Sequence, residues 1–346
     1  LAEPIVVPLS EAEVVRWSFA TRFAFRFFFA FFPLFLPPPL PFTIPGFSTA
    51  MSAFWNAIVP RVALTVFGVR TKWEPNGSGD TTWDWSKLIA IATISLVIAL
   101  VWSVLDRRSA AYPRLHVWLR VYLRYALAIA MFMYGVAKVI PMQFQPPPLD
   151  RLMQPFGDAS PMGLLWTFMG ASMAYTIFAG AGELLGGLLL TTRRTALLGA
   201  LVSAAVLTNI VMLNFSYDVP VKIYSSILLL SALFIIAPDA KRLLNLFVLN
   251  RPVEPTTLRP SVRPAWAEHA LRAARTAIVI LFVVQGFQRT LFTRRTYVRP
   301  DSNAALHGIW NVDELTVDGV SHPPLVSDAT RWRRIIFTGT RGLSIQ

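Results

Sequence analysis

The 346-residue chain contains no cysteine. That absence excludes disulfides, thiolate nucleophiles, thiol relays and Fe–S ligation by this chain. Histidine is almost as scarce: His116, His269, His307 and His322 are the whole supply. None lies in the middle of an apolar run, so a bis-histidine haem site inside a membrane is not expected. No His-x-x-x-His pair, clustered carboxylates, Walker loop or Gly-x-Ser-x-Gly elbow is present. Charge is thin as well, with 15% Asp, Glu, Lys and Arg, against roughly 25% in an ordinary soluble domain. The first residues, with Glu3, Glu11 and Glu13, do not read as a signal peptide.

What the chain has in abundance is apolar sequence: 54% hydrophobic residues and a mean hydropathy of +0.51. A soluble protein of this composition could not cover its own surface, so lipid is the expected solvent for most side chains. The net charge of +13 would suggest nucleic acid on a soluble protein. Here Lys and Arg sit at the ends of apolar runs, the pattern that orients membrane proteins, and no nucleic-acid partner is expected.

The fold class expected is an all-α polytopic membrane protein, with seven spans and a small C-terminal β-rich extramembrane segment. The spans fall at residues 17–36, 88–105, 119–140, 164–190, 196–215, 221–237 and 273–292. The fourth run is longer than the ~20 residues needed to cross a bilayer, so tilt is expected there. Residues 46–69, interrupted by Pro60 and Arg61, are expected to form an amphipathic helix in the interface, with Trp55 as anchor. The organisation expected is an N-terminal segment 1–15, two spans with their loop over 16–115, a four-helix core over 116–240, a linker 241–272, the seventh span 273–292 and a tail 293–346. Strands are expected in the tail at 310–319, 331–337 and 343–346.

Orientation follows from Arg107, Arg108, Arg114, Arg120, Arg193, Arg194, Lys241, Arg242, Arg251, Arg259, Arg263 and Arg272, which fall on one face with the N-terminus. The positive-inside rule makes that face cytoplasmic and places the C-terminal tail outside. Arg289, Arg294, Arg295 and Arg299 run against the rule and are outvoted.

Charges inside spans require an explanation. Counted inward from the basic turns, Glu183 and Arg124 lie at similar depth and are expected to face each other, as a register-fixing ion pair or as a proton or ligand site. A second cluster is expected at the outer face from Tyr134, Lys138, Asn214, Tyr217, Asp218 and Lys222. It would bind an anion, lipid headgroup or quinone carbonyl. The plainer alternative has Lys138 reaching to the interface and Asp218 capping the helix that begins near Pro220. Gly180, Gly182, Gly186 and Gly187 have the small-residue spacing of close helix packing.

Residues 120–239 carry Tyr134-Gly-Val-Ala-Lys138 at the end of one span and Gly180-Ala-Gly-Glu183-Leu-Leu-Gly-Gly187 in the next, followed by the turn Thr191-Thr-Arg-Arg-Thr195 and two more spans. In order and spacing this segment resembles the four-helix core of the DoxX-like family of bacterial membrane proteins. The rest of the chain looks like a larger variant of that family, with flanking spans and a β tail. The resemblance implies a bacterial inner-membrane protein associated with membrane oxidoreductase assemblies, some of them thiosulfate:quinone oxidoreductases. Cysteine-based sulfur chemistry cannot be carried over. The expectation is therefore a non-catalytic accessory or assembly subunit with lipid and other membrane subunits as partners. No covalently bound cofactor is expected. A quinone-interacting oxidoreductase subunit is the alternative, and a small-molecule or lipid transporter ranks last for want of an internal repeat.

Overall fold

The computed structural model describes residues 16–38, 43–253, 265–297, 306–325, 327–338 and 342–346. The expected N-terminal segment 1–15 and residues 254–264 of the expected linker lie outside the described residues. The helices are α1 (Phe19–Phe35), α2 (Phe47–Phe67), α3 (Thr82–Leu105), α4 (Pro113–Val139), α5 (Leu149–Met153), α6 (Pro161–Ala171), α7 (Met173–Thr191), α8 (Ala196–Ser216), α9 (Lys222–Ile236), α10 (Ala240–Phe247) and α11 (Ala265–Tyr297). Five short strands follow: β1 (Gly308–Asn311), β2 (Leu315–Val317), β3 (Val320–His322), β4 (Arg334–Phe337) and β5 (Leu343–Ile345).

Six helices among the described residues are long and apolar enough to cross a membrane: α2, α3, α4, α7, α8, and α9 with its continuation through α10. The chain is an integral membrane protein. That set is not the one read from sequence. The helix α1 is only 17 residues long, and α11, which holds the seventh expected span, is 33 residues long and is not among the six.

Local chemistry sets the boundaries. At the start of α3 the Thr81 hydroxyl accepts from the Asp84 backbone N–H, and the Asp84 carboxylate accepts from that of Thr81. This reciprocal box satisfies donors that the first turn leaves open. The expected single span over 164–190 is a correction: the helix breaks at Ser172, whose extended backbone ends α6 and whose hydroxyl accepts from Tyr175 N–H to start α7. Thr176 bridges the break by donating to the Met169 carbonyl at 2.7 Å. The length anticipated as tilt is taken up by this bend.

The helices share two common ends. Arg22 and Arg26 of α1 donate to backbone carbonyls of Ser109 and Asp106 just beyond α3. Arg120 of α4 meets Asp239 after α9 at 2.9 Å. Tyr125 of α4 donates to the Thr191 carbonyl at the end of α7. These contacts gather the Arg107–Arg108, Arg193–Arg194 and Lys241–Arg242 turns at one end, the basic end. At the other end Phe35 of α1 and Leu88 of α3 line one cleft, so α1 and α3 run antiparallel. Whatever leaves α1 there must return there before α3 begins. By length and composition α2 is one of the helices able to span, where an interfacial helix was expected. It is apolar around most of its surface rather than two-faced, with Trp55, Val59 and Ala63 buried.

The main core joins α1, α3, α4, α8 and α9 through Phe32, Ile91, Leu123, Leu127, Leu207 and Ile235. In the tail, β1, β4 and β5 form one antiparallel sheet and β2–β3 a separate hairpin. Asp318 and Gly319 turn that hairpin with positive φ at both positions, the geometry of a two-residue type I′ turn. The expected strands are all present, in shorter pieces. Strand β4 contacts α5, which places the sheet at the end opposite the basic turns.

Candidate intramembrane site

Glycine brings α4 and α7 together. A Cβ on Gly180 would lie 2.7 Å from Lys138 Cβ and 2.8 Å from the Gly135 carbonyl oxygen, and one on Gly135 would lie 2.9 Å from the Gly180 carbonyl oxygen. Neither helix can accept a larger residue without moving. Gly187 is nearly as tight, at 3.2 Å from the Ala128 carbonyl oxygen, and Gly186 faces Ser203 of α8 at 2.6 Å. Gly182 meets only an ordinary contact with Val206, so four expected packing glycines reduce to three. Gly135 and Gly199, whose Cβ would meet the Leu190 backbone N at 2.6 Å, play the same part and were not singled out from sequence.

Within this contact Lys138 Nζ lies 2.7 Å from Glu183 Oε1, with the two side chains 9% and 2% exposed. Arg124 is not the partner. Its guanidinium donates to the Tyr125 hydroxyl at 3.1 Å and stacks over that ring, and its Nε is buried without a hydrogen bond. Helical side chains lean toward the N-terminus of their helix. On α4 that carries Lys138 inward from the helix end and Arg124 outward toward the basic end. Counting residues from the basic turns gave depth along the helix but missed this lean.

The second carboxylate oxygen of Glu183 is buried and has no hydrogen-bond partner. Lys138 Nζ also sits 5.6 Å from the centre of the Tyr134 ring and 6.0 Å from that of Phe144. Tyr134 in turn packs 6.2 Å from Tyr224 of α9. Both tyrosines line a cleft of about 480 Å³ at the end opposite the basic turns, between Phe35, Trp73, the 74–79 loop, Asp84 and Lys87. Tyr134 thus touches the cleft on one side and the Lys138 ammonium on the other.

Comparison with known proteins bears on about a third of the chain. It is 35% identical over 126 residues to the uncharacterized protein YwoB of Bacillus subtilis (strain 168), a match covering 36% of this chain and 79% of YwoB. The chain belongs to the YwoB family. No family model matches it, and no solved structure matches it. Much of this YwoB-family chain is thus sequence that the relative does not share.

The expected outer-face cluster divides in two. Lys138 turns inward to Glu183, while Tyr134 is exposed and lines the cleft. Lys222 pairs with Asp218 at 2.6 Å, one helical turn away, on an exposed carboxylate. Asn214 is buried and donates to Ser225 Oγ at 3.0 Å, and Tyr217 is at the surface. Asp218 has a left-handed backbone (φ 52°), so it turns the chain rather than capping α9. That cap comes from Asp80, whose two oxygens accept from the backbone N–H groups of Lys222 at 2.6 Å and Ile223 at 2.9 Å. Gly79 N–H adds a bond to the Pro220 carbonyl at 2.8 Å. Sequence reasoning missed this clasp because its partners are more than 140 residues apart.

At the basic end Arg26 is 2% exposed. It donates to Ser103 Oγ, to the Asp106 carbonyl and to the Tyr112 hydroxyl, which itself donates to the Asp106 carboxylate at 2.8 Å. Hydrogen bonds from Ser109 and Tyr112 hold the Asp106 carboxyl down at about 2. Among the described residues no three His, Asp or Glu side chains gather as a metal site.

Proposed function

We propose that the chain is a non-catalytic, DoxX-like assembly subunit of a larger complex in a bacterial inner membrane, with the basic end cytoplasmic and the β tail outside. The observation that carries this reading is an uncovered apolar sheet face. Register pairs Trp310 with Ile335 and Ile335 with Ile345, while Phe337 and Leu343 pair two residues along. Side chains two apart share a face, so these five residues form one surface. Trp310 is 50% exposed, Leu343 59% and Ile345 42%. The opposite face carries the fully buried Ile336. A contiguous apolar patch outside the membrane marks a contact surface, and its occupant in this reading is an extramembrane segment of a second subunit. The DoxX-like assignment is supported by consecutive packing of α4, α7, α8 and α9 around the Lys138–Glu183 pair. In this reading there are seven crossings, by α1, α3, α4, α7, α8, α9 and α11, and the shared ends of α1, α3, α4, α7 and α9 support it.

Native purification tests this. Partner chains should accompany the protein in fixed ratio and be lost on Trp310→Ser with Leu343→Ser. A protein that runs alone, whatever the detergent, contradicts it. The cleft beside Tyr134 and Tyr224 favours a second reading, a quinone-interacting subunit: extracted lipid should then contain quinone, and Tyr134→Phe should deplete it.

A further inference from the structure

We propose that Glu183 is a proton-loading site, exchanging its proton with the outer aqueous phase through the Tyr134 hydroxyl. Three observations converge. The carboxylate is 1% exposed, yet only one of its oxygens is used by Lys138, and the other is buried with no donor. An unpartnered buried acceptor is costly, and a proton on that oxygen turns it into a neutral carboxyl. An open cleft at the end opposite the basic turns reaches Tyr134 and Tyr224. Tyr134 stands between: it lines the cleft on one side and lies under the Lys138 ammonium on the other.

The transfer balances without any other reactant. A hydronium ion in the cleft gives a proton to the Tyr134 oxygen as that hydroxyl passes its own proton to Glu183. The carboxylate becomes a carboxylic acid, hydronium becomes water and the phenol is regenerated. Lys138 keeps its ammonium throughout. The loaded site is therefore one positive charge richer than the resting pair, which is the quantity a partner subunit or ligand would sense.

The groups that surround Glu183 are few. On α4 they are Lys138 and Tyr134. The helix α9 contributes Tyr224, with Lys222 at its start engaged by Asp218. Neither α6 nor α8 contains an Asp, Glu, Lys, Arg, His or Tyr residue within its bounds. Among the described residues of the elements packed around it, a protonation change at this depth thus has one carboxyl to belong to.

Infrared difference spectroscopy on the reconstituted full chain reads it. On acidification a protonated-carboxyl band should appear, and it should be missing from Glu183→Gln. Should that variant not fold, the charge-free pair Lys138→Met with Glu183→Gln serves for the same assignment. On transfer to heavy water the band should shift, and in Tyr134→Phe the shift should slow by about a hundredfold, the size of a positioned proton donor's contribution. A band that survives loss of Glu183, or no titrating band at all, overturns the proposal. Unchanged exchange in Tyr134→Phe overturns the route and with it the role given to the cleft. Neither outcome touches the assembly reading, which rests on the tail.

Discussion

Lys138 and Glu183 are each expensive inside a bilayer, at about 2.5–3.5 kcal/mol for a central charge on insertion scales, and together they cancel most of that cost. Removing one alone leaves the other buried and unpaired. Lys138→Met should therefore destabilise the protein by about 3–5 kcal/mol, and Lys138→Met with Glu183→Gln should recover most of the loss; unfolding in mixed micelles measures both. A double variant as unstable as the sum of the singles would contradict the pairing. The two residues were legible in sequence, since charges stand out in apolar runs. Their partnership was not, because side-chain lean along α4 is a property of the helix rather than of residue spacing. Asp106 supplies a pH dependence. Its folded carboxyl, at about 2, lies below the ~3.9 of an unfolded aspartate. A lowered value means the contribution is complete above pH ~4 and is lost as pH falls toward ~2. Acid should loosen the α1–α3–α4 junction over that window, read by Trp17 and Trp102 fluorescence, and Asp106→Asn should remove the transition.

Packing of whole elements turns on small residues and one distant cap. Gly180→Ala should cost about 1–3 kcal/mol, the range for overpacking a tight site, whereas Gly182→Ala should be near neutral; melting temperatures of the two variants test the distinction. Asp80→Ala should cost about 1 kcal/mol through loss of a helix cap and should free the 73–79 loop, exposing it to protease digestion from outside. Unchanged protection would place the clasp elsewhere. Element type was readable from hydropathy for α3, α4, α8 and α9, where apolar runs match one crossing. It failed for the 164–190 run, because the serine that breaks the helix at Ser172 looks unremarkable among apolar neighbours. For α2 the expectation of a two-faced interfacial helix failed: it is apolar around most of its surface and long enough to cross a membrane, because Pro60 and Arg61 do not interrupt the helix.

The molecule as a whole is a bundle with a basic end, an end that carries the cleft and the tail, and lipid between. Much of that was visible in sequence because Lys and Arg accumulate in the turns at one end. The clasp from Asp80 to α9 and the uncovered sheet face needed three dimensions, since both depend on pairing across long separations. The absence of cysteine makes the arrangement directly testable: every cysteine introduced is the only one. Single variants Ser78→Cys, Asp218→Cys and Ser321→Cys probe the cleft end, and Ser109→Cys, Arg194→Cys and Lys241→Cys the basic end. With a membrane-impermeant maleimide on intact cells, the first three should label and the last three should label only after the membrane is opened. Labelling that splits either trio across the membrane would contradict the account.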